Sequence, residues 1–236
     1  MVHKTKSKDY DYQGWELNYF DNAKKFRSYQ LNLIKEFLQG NIAEVGPGNG
    51  KNLSQYINIP TKISLFEPSK KLYQNLRKKF KKNKKISFNN KNFKTNLKKY
   101  DAILYLDVLE HIKNDKFEIK HAFKCLKRGG FLIINVPAFN YLYSEFDRDV
   151  GHFRRYSKNS ILKLFSNLKF KLIKLAYYDV VGYFLSLLSK LLINNYKKNF
   201  EKKIKFWNSL IWLSVILDKL IFYTLGKSLL IVIKKN

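Results

Sequence analysis

Residues 42–50 read Ile-Ala-Glu-Val-Gly-Pro-Gly-Asn-Gly, and they limit the possible folds more tightly than any other stretch of the chain. A short apolar run that ends in an acid and then alternate glycines is a buried strand opening into a loop. Without Cβ atoms, the N–H groups of such a loop can approach a ligand closely. The spacing discriminates among loops of this kind. A dinucleotide fingerprint, G-x-G-x-x-G, would need glycine at 51, where Lys51 stands. A phosphate-cradling loop wants Gly-Lys followed by Ser or Thr, and Asn52 follows Lys51. The pattern that remains is E-x-G-x-G-x-G.

Apolar runs of strand length at 41–45, 62–67, 85–89, 101–106 and 130–136 alternate with amphipathic stretches at 51–57, 69–83 and 114–127. That alternation predicts an α/β fold with a parallel sheet and crossover helices. Lys127-Arg128-Gly129-Gly130 predicts a basic last turn and a glycine stop for the third of these helices. Ser157 is the expected N-cap of a further helix running through Ile161, Leu162 and Leu164-Phe165. Residues 169–178 and 228–234 read as two more strands. The expected organisation is an N-terminal helical segment at 1–40, a sheet domain at 41–178 plus 228–236, and a helical insert at 179–227.

The insert is rich in Leu, Phe, Trp and Ile. Its longest charge-free stretches, between Lys205 and Asp218 and between Asp179 and Lys190, fall short of the ~20 apolar residues a membrane span needs. Two or three amphipathic helices are expected instead. Trp207, Trp212, Tyr183 and Phe184, flanked by Lys190, Lys197, Lys198, Lys202 and Lys203, fit an interfacial anchor on an anionic membrane. The same helices fit a cap over the substrate side, with every apolar face buried.

The chain of 236 residues carries 46 Lys+Arg against 18 Asp+Glu, a net charge of +28 that draws polyanions. The lysines are spread over helix faces and loops, and the accompanying Asn, Ile, Phe and Tyr fit an A+T-rich coding sequence, so charge alone names no partner. In 69–85, Leu72, Leu76 and Phe80 form one packing stripe while the lysines face water. A single cysteine, Cys125, excludes an internal disulfide and a cysteine-built zinc site, and fits a small buried core residue. The first residues show no apolar run, so no secretory signal is expected, and His3 belongs to a solvated basic tail. A cytoplasmic location, peripheral on the inner membrane face, is the expectation.

The glycine pattern resembles motif I of the class I S-adenosylmethionine (SAM) methyltransferases. Four later segments extend the resemblance: Glu67 closing 62–67, Asp107 within Asp-Ala-Ile-Leu-Tyr-Leu-Asp-Val-Leu-Glu-His-Ile, Gly129-Gly130 before Phe-Leu-Ile-Ile-Asn-Val-Pro, and 147–156. It implies a Rossmann-like, seven-stranded, mostly parallel sheet with a reversed last strand. It also implies SAM as cofactor. Glu44 would then reach the methionine amine, and Gly46, Gly48 and Gly50 would let the loop wrap the methionine part. Glu67 would accept from both ribose hydroxyls. Asn92 stands where the family usually has Asp beside the adenine amine, and Asp107 opens the loop nearest the methyl group.

Residues 17–39 and Asp-Arg-Asp-Val-Gly-His-Phe-Arg-Arg-Tyr at 147–156 resemble one subgroup, marked by G-H-x-R-R-Y, whose members often accompany glycosyltransferases and carry hydrophobic C-terminal helices. Methyl transfer to oxygen needs the acceptor proton removed as the bond forms, and His is suited to that near neutral pH. His152 is the candidate base, with Tyr156 and Asp147 as orienters, and His111 is a second candidate. Arg154 and Arg155 have the chemistry to clamp a phosphate or carboxylate on the acceptor. The other reading of 151–156 is a structural corner with its arginines on internal carboxylates. The expected acceptor is a small or lipid-linked molecule such as an envelope glycan precursor, or a quinone. An RNA methyltransferase is disfavoured because no N/D-P-P-Y tetrad follows the fourth strand, and a docking scaffold without catalysis is disfavoured by the intact Glu44, Gly46, Gly48, Gly50 and Glu67. No metal is expected, and nothing in the sequence fixes an oligomeric state.

Overall fold

The structure is a computed structural model that describes residues 14–192 and 197–236. The expectation for His3 and the basic tail lies outside the described residues. Seven strands form one sheet: β1 Asn41–Val45, β2 Lys62–Phe66, β3 Ile86–Asn89, β4 Tyr100–Leu106, β5 Leu126–Pro137, β6 Phe170–Tyr178 and β7 Ser228–Lys235. Their spatial order is β3-β2-β1-β4-β5-β7-β6. Neighbours among β1 to β5 pair in parallel, whereas β7 runs antiparallel to both β5 and β6. This is the expected α/β sheet with its reversed last strand.

The central strands read as unbroken apolar runs because both faces are covered. Along β4, Ile103 and Tyr105 join one core cluster and Ala102, Leu104 and Leu106 the other, the two-residue period of a strand. The first cluster is closed by Ile119, Ala122 and Phe123 of α5 (Asp115–Lys124) and by Ile161 of α7 (Lys158–Lys163). The second is closed by α2 (Lys24–Ile34), α3 (Leu53–Tyr56) and α4 (Lys70–Phe80). On α4, Leu72 and Leu76 are buried while its lysines are exposed, and Ser69 caps it by accepting from Leu72 N. Ser157 caps α7 through a box with Ser160.

One boundary differs from expectation. Helix α5 ends at Lys124, and the chain enters β5 at Leu126 rather than 130, so Lys127-Arg128-Gly129-Gly130 is strand and not a helix stop. The β4–β5 pairing shifts register between Tyr100↔Leu126 and Ala102↔Phe131. Gly130 permits this, since a Cβ there would stand 3.0 Å from the Asp101 carbonyl oxygen and 3.1 Å from that of Lys127. Cys125 caps α5 and is buried.

Between β6 and β7 lie α8 (Val180–Leu192), α9 (Phe200–Ser209) and α10 (Ile211–Leu220). Two buried carboxylates tie them to the sheet. Asp179 accepts from Gly182 N at 3.0 Å, Ser214 Oγ at 2.8 Å and Trp207 Nε1 at 2.8 Å. Asp218 accepts from Asp179 N at 2.6 Å, Val180 N at 2.9 Å and the Tyr29 hydroxyl at 2.8 Å. All three helices are thereby pinned to the end of β6 and to α2. Trp207 is 5% exposed and faces inward, which corrects its assignment to a membrane anchor; Trp212 and Phe184 are 58% and 57% exposed. Among the described residues, no helix is long and apolar enough to cross a membrane.

Replacing Asp218 with Ala strands three buried donors at once, each at about 1–3 kcal/mol. Urea unfolding of Asp218→Ala is expected to show a loss of about 3 kcal/mol or more, with loss of Trp207 burial visible in its fluorescence.

Candidate functional site

The carboxyl ends of β1, β2 and β4 meet where the strand order reverses between β1 and β4, the place where open α/β sheets bind ligands. A cavity of about 1640 Å³ opens there. Its walls come from the 45–52 loop, the segments following β2 and β4, residues 142–155, α1 (Trp15–Phe20), and the inner faces of α8 and α9. Single-ligand pockets run to about 300–1,000 Å³, so this one has room for two molecules.

At one end, Glu44 is buried on β1 and accepts a hydrogen bond from the Tyr56 hydroxyl. Burial raises its carboxyl to about 7, opposed by the Tyr56 bond and reinforced by the charge of Glu67. Glu67, just past β2, clasps the glycine loop. Its two oxygens accept from Gly48 N at 3.2 Å and Ser69 N at 2.9 Å, yet burial still raises it to about 7. Each carboxylate oxygen has a second lone pair left for a ligand. Gly46, Gly48 and Gly50 all have positive φ. Gly46 and Gly48 line the cavity, but Gly50 does not: a Cβ there would meet Phe80 at 2.6 Å and Leu76 at 2.8 Å. Gly50 therefore serves packing against α4 and not the wrapping expected of it. Asp21 fastens the N-terminal segment to this loop, accepting from Asn49 Nδ2 at 2.6 Å and pairing with Lys51 at 3.3 Å. Asn92 is exposed on the cavity wall beside buried Phe93.

Asp107 directly follows β4 with φ 59°, a strained conformation for a residue with a Cβ. Its Oδ1 accepts from Asn135 Nδ2 at 2.7 Å; Asn135 Oδ1 accepts from the Tyr178 hydroxyl at 2.8 Å, which accepts from Gln30 Nε2 at 3.1 Å. This relay runs from α2 through β6 and β5 to the cavity. Desolvation raises the Asp107 carboxyl, against the bonds from Asn135 and Gln30.

The opposite wall carries Glu110, His111 and His152. His152 Nδ1 lies 2.8 Å from Asp147 Oδ1, its Nε2 lies 3.8 Å from Glu110 Oε1, and the His111 ring meets it edge-on at 4.6 Å. Burial, then the charge of His152, lowers His111 to about 3, so its ring is neutral near neutral pH. Burial works to raise the Asp147 carboxyl, but bonds and charges from His152 and Arg155 outweigh it and hold it well below the usual range.

Three further site expectations are corrected. Arg155 directs Nε and Nη2 onto Asp147, both at 2.9 Å, so its fork is already filled. Arg154 does not line the cavity; it bonds Asp115 at 2.6 Å and the Lys113 carbonyl at 2.9 Å. Tyr156 also lies outside the cavity lining, and its hydroxyl bonds Asp115 at 2.9 Å instead of orienting His152. Sequence reasoning missed Glu110 as a wall residue and the relay partners Gln30, Asn135 and Tyr178. It also missed Lys227, whose ammonium sits 4.0 Å over the Trp207 ring on the cavity wall and is lowered by burial. Asn135, polar within an apolar strand, was the one available signal.

The fold is that of the Rossmann-like class I methyltransferases. Residues 18–175 match the methyltransferase domain family, and the chain belongs to that family. It is a SAM-dependent methyltransferase. Similar solved structures include the N-methyltransferase NodS of Bradyrhizobium japonicum with S-adenosyl-L-homocysteine, 11% identical over 97% of this chain and 93% of that one, with a TM-score of 0.61. Phosphoethanolamine N-methyltransferase 2 of Haemonchus contortus with SAM is 12% identical over 95% of this chain and 58% of that one, with a TM-score of 0.62. The StiE O-MT segment is 16% identical over 89% and 74%, with a TM-score of 0.56. No curated protein sequence matches the chain. Two buried carboxylates, a half-buried glycine loop on the cavity wall and a wall amide suit the donors and acceptors of SAM.

Because Glu67 titrates near 7 when folded and near 4.5 otherwise, the folded chain binds its proton more tightly. Its contribution to stability therefore falls as pH rises between about 4.5 and 7. Urea unfolding from pH 5 to 8 is expected to show Glu67→Gln gaining on the parent with rising pH, by up to about 3 kcal/mol.

Proposed function

We propose that the chain methylates an oxygen of a small or lipid-linked acceptor, an envelope glycan precursor in the first instance, at the cytoplasmic face of the membrane. The observation that carries this reading is the single cavity running from the Glu67 clasp to the His152–Asp147 pair beneath an apolar helical cover. Bound SAM supplies an electrophilic methyl group for in-line transfer. Glu44 would hold its amine, Glu67 its ribose hydroxyls, Gly46 and Gly48 its methionine part and Asn92 its adenine amine, with Asp107 on the side of the methyl group.

His152 has the geometry of a base: its Nδ1–H donates to Asp147, and Nε2 faces the cavity to take the acceptor proton. The neighbours of this fold include both N- and O-methyltransferases, and a held base is most useful to a hydroxyl. Leu185, Leu188, Phe200 and Phe206 line the acceptor side with apolar surface, and Lys227 is a cation there suited to an acidic group. Phe184, Leu191, Trp212 and Leu220 expose the outer faces of α8 and α10, apolar area of the kind that rests on a lipid surface beside Lys190 and Lys219. The glycan class also follows from the resemblance of 151–156 to a subgroup found beside glycosyltransferases.

Tritiated methyl counts from SAM are expected in a membrane-lipid extract and not in an RNA extract; counts in RNA alone would overturn the acceptor class. His152→Ala is expected to lower kcat about 10²–10⁴-fold at unchanged SAM affinity. Glu67→Ala loses two charge-assisted bonds and should weaken SAM binding about 100-fold or more by calorimetry.

A further inference from the structure

Glu110, His111 and His152 each offer one ligand atom, and these atoms all lie within 4.8 Å of one another. Glu110 is 1% exposed, and its Oε2 has no hydrogen-bond partner among the described residues. A buried carboxylate oxygen left in that state is expensive unless something else occupies the position. Both imidazoles are already held from behind. His152 gives Nδ1 to Asp147 at 2.8 Å, leaving Nε2 toward Glu110, and the His111 ring hydrogen-bonds the Gly151 backbone. Holding one ring nitrogen on a carboxylate or backbone group is how metal-binding histidines are oriented.

The geometry points to a binding site for a divalent transition cation of the zinc class, held by Glu110, His111 and His152, with its remaining positions open to the cavity. Two nitrogens and one carboxylate oxygen suit zinc or cobalt and not magnesium or calcium, which take oxygen ligands. Donors about 2.0–2.2 Å from a zinc ion stand about 3.3 Å apart in a tetrahedron, so the present separations close by side-chain rotation. Binding of the cation stands independently of the acceptor reading, whereas its catalytic consequence rests on that reading. An acceptor hydroxyl on the open position would be polarised and shed its proton to water. Its oxygen would form the new C–O bond as the S–CH3 bond breaks, and no redox change occurs. In this state His152 acts as a ligand and not as the base.

Equilibrium dialysis of the full chain against Zn²⁺, Co²⁺ and Mg²⁺ tests the site. One equivalent of Zn²⁺ or Co²⁺ is expected, with at least a tenfold loss of affinity in Glu110→Gln and His111→Ala and none in His121→Ala, which removes the histidine beside Cys125. Mg²⁺ is expected to stay unbound. The Co²⁺ absorption of the unaltered chain, intense for a four- or five-coordinate site with nitrogen donors, gives a reading that needs no variant. SAM calorimetry shows that each variant is folded. Binding that survives Glu110→Gln and His111→Ala, or no binding in a chain that still takes SAM, overturns the site. Cation binding without label transfer to the lipid extract upholds the site and sinks the acceptor reading.

Discussion

A single buried carboxylate organises the cavity wall that carries His152. Asp147, fully buried on α6 (Glu145–Asp149), accepts from Ser144 N and Oγ, from His152 Nδ1 and from two nitrogens of Arg155, while its carbonyl accepts from His152 N. Taking a carboxylate and a guanidinium out of water is unfavourable by several kcal/mol per ion unless nearly every lone pair and proton is matched. Here the matching is dense, which is why the acid stays ionised. Glycine at 151 turns the chain back so that His152 and Arg155 reach the same carboxylate. The 151–156 segment is thus a corner whose arginine sits on an internal carboxylate, and the bonds that fold it also fix the His152 imidazole.

The insert shows the same economy. Asp179 and Asp218 stand at the end of β6 and near the end of α10, and between them they hold α8, α9, α10 and α2 by hydrogen bonds to buried donors. Once these helices are fixed, their apolar residues divide by direction. Ile204, Trp207 and Ile211 join the core, while Trp212, Ile216 and Leu220 remain outside on α10. The inward-facing cap and the exposed apolar stripe are opposite faces of one helical unit.

Strands and the glycine loop were legible because each carries its own local signal. Unbroken apolar runs mark strands covered on both faces, and glycines at positive φ mark a loop that a Cβ would block. What stayed hidden depends on partners far apart in the chain. Nothing near Arg154 announces Asp115, and nothing near Gly50 announces Phe80. The start of β5 was misread because a basic run ending in Gly-Gly looks like a helix stop, whereas here the glycines allow a strand to pass close to the Asp101 and Tyr100 carbonyls. Lys227 was invisible among many lysines; only its enclosure between Trp207 and the cavity separates it from the solvated ones.

Asp107 links the two halves of the site. A non-glycine residue at φ 59° is strained by about 1–2 kcal/mol, and the surroundings must supply what holds it there. Asn135 does so directly, but Asn135 is itself aligned by Tyr178, and Tyr178 by Gln30. Tyr178 also packs edge-on against Tyr29 and stacks on Phe26, while Tyr29 bonds Asp218 of the insert. The conformation of one acid at the end of β4 therefore depends on α2 being seated and on the insert being closed. An N-terminal helix and a late insert, distant in sequence and both outside the parallel strands, set the geometry of this end of the cavity.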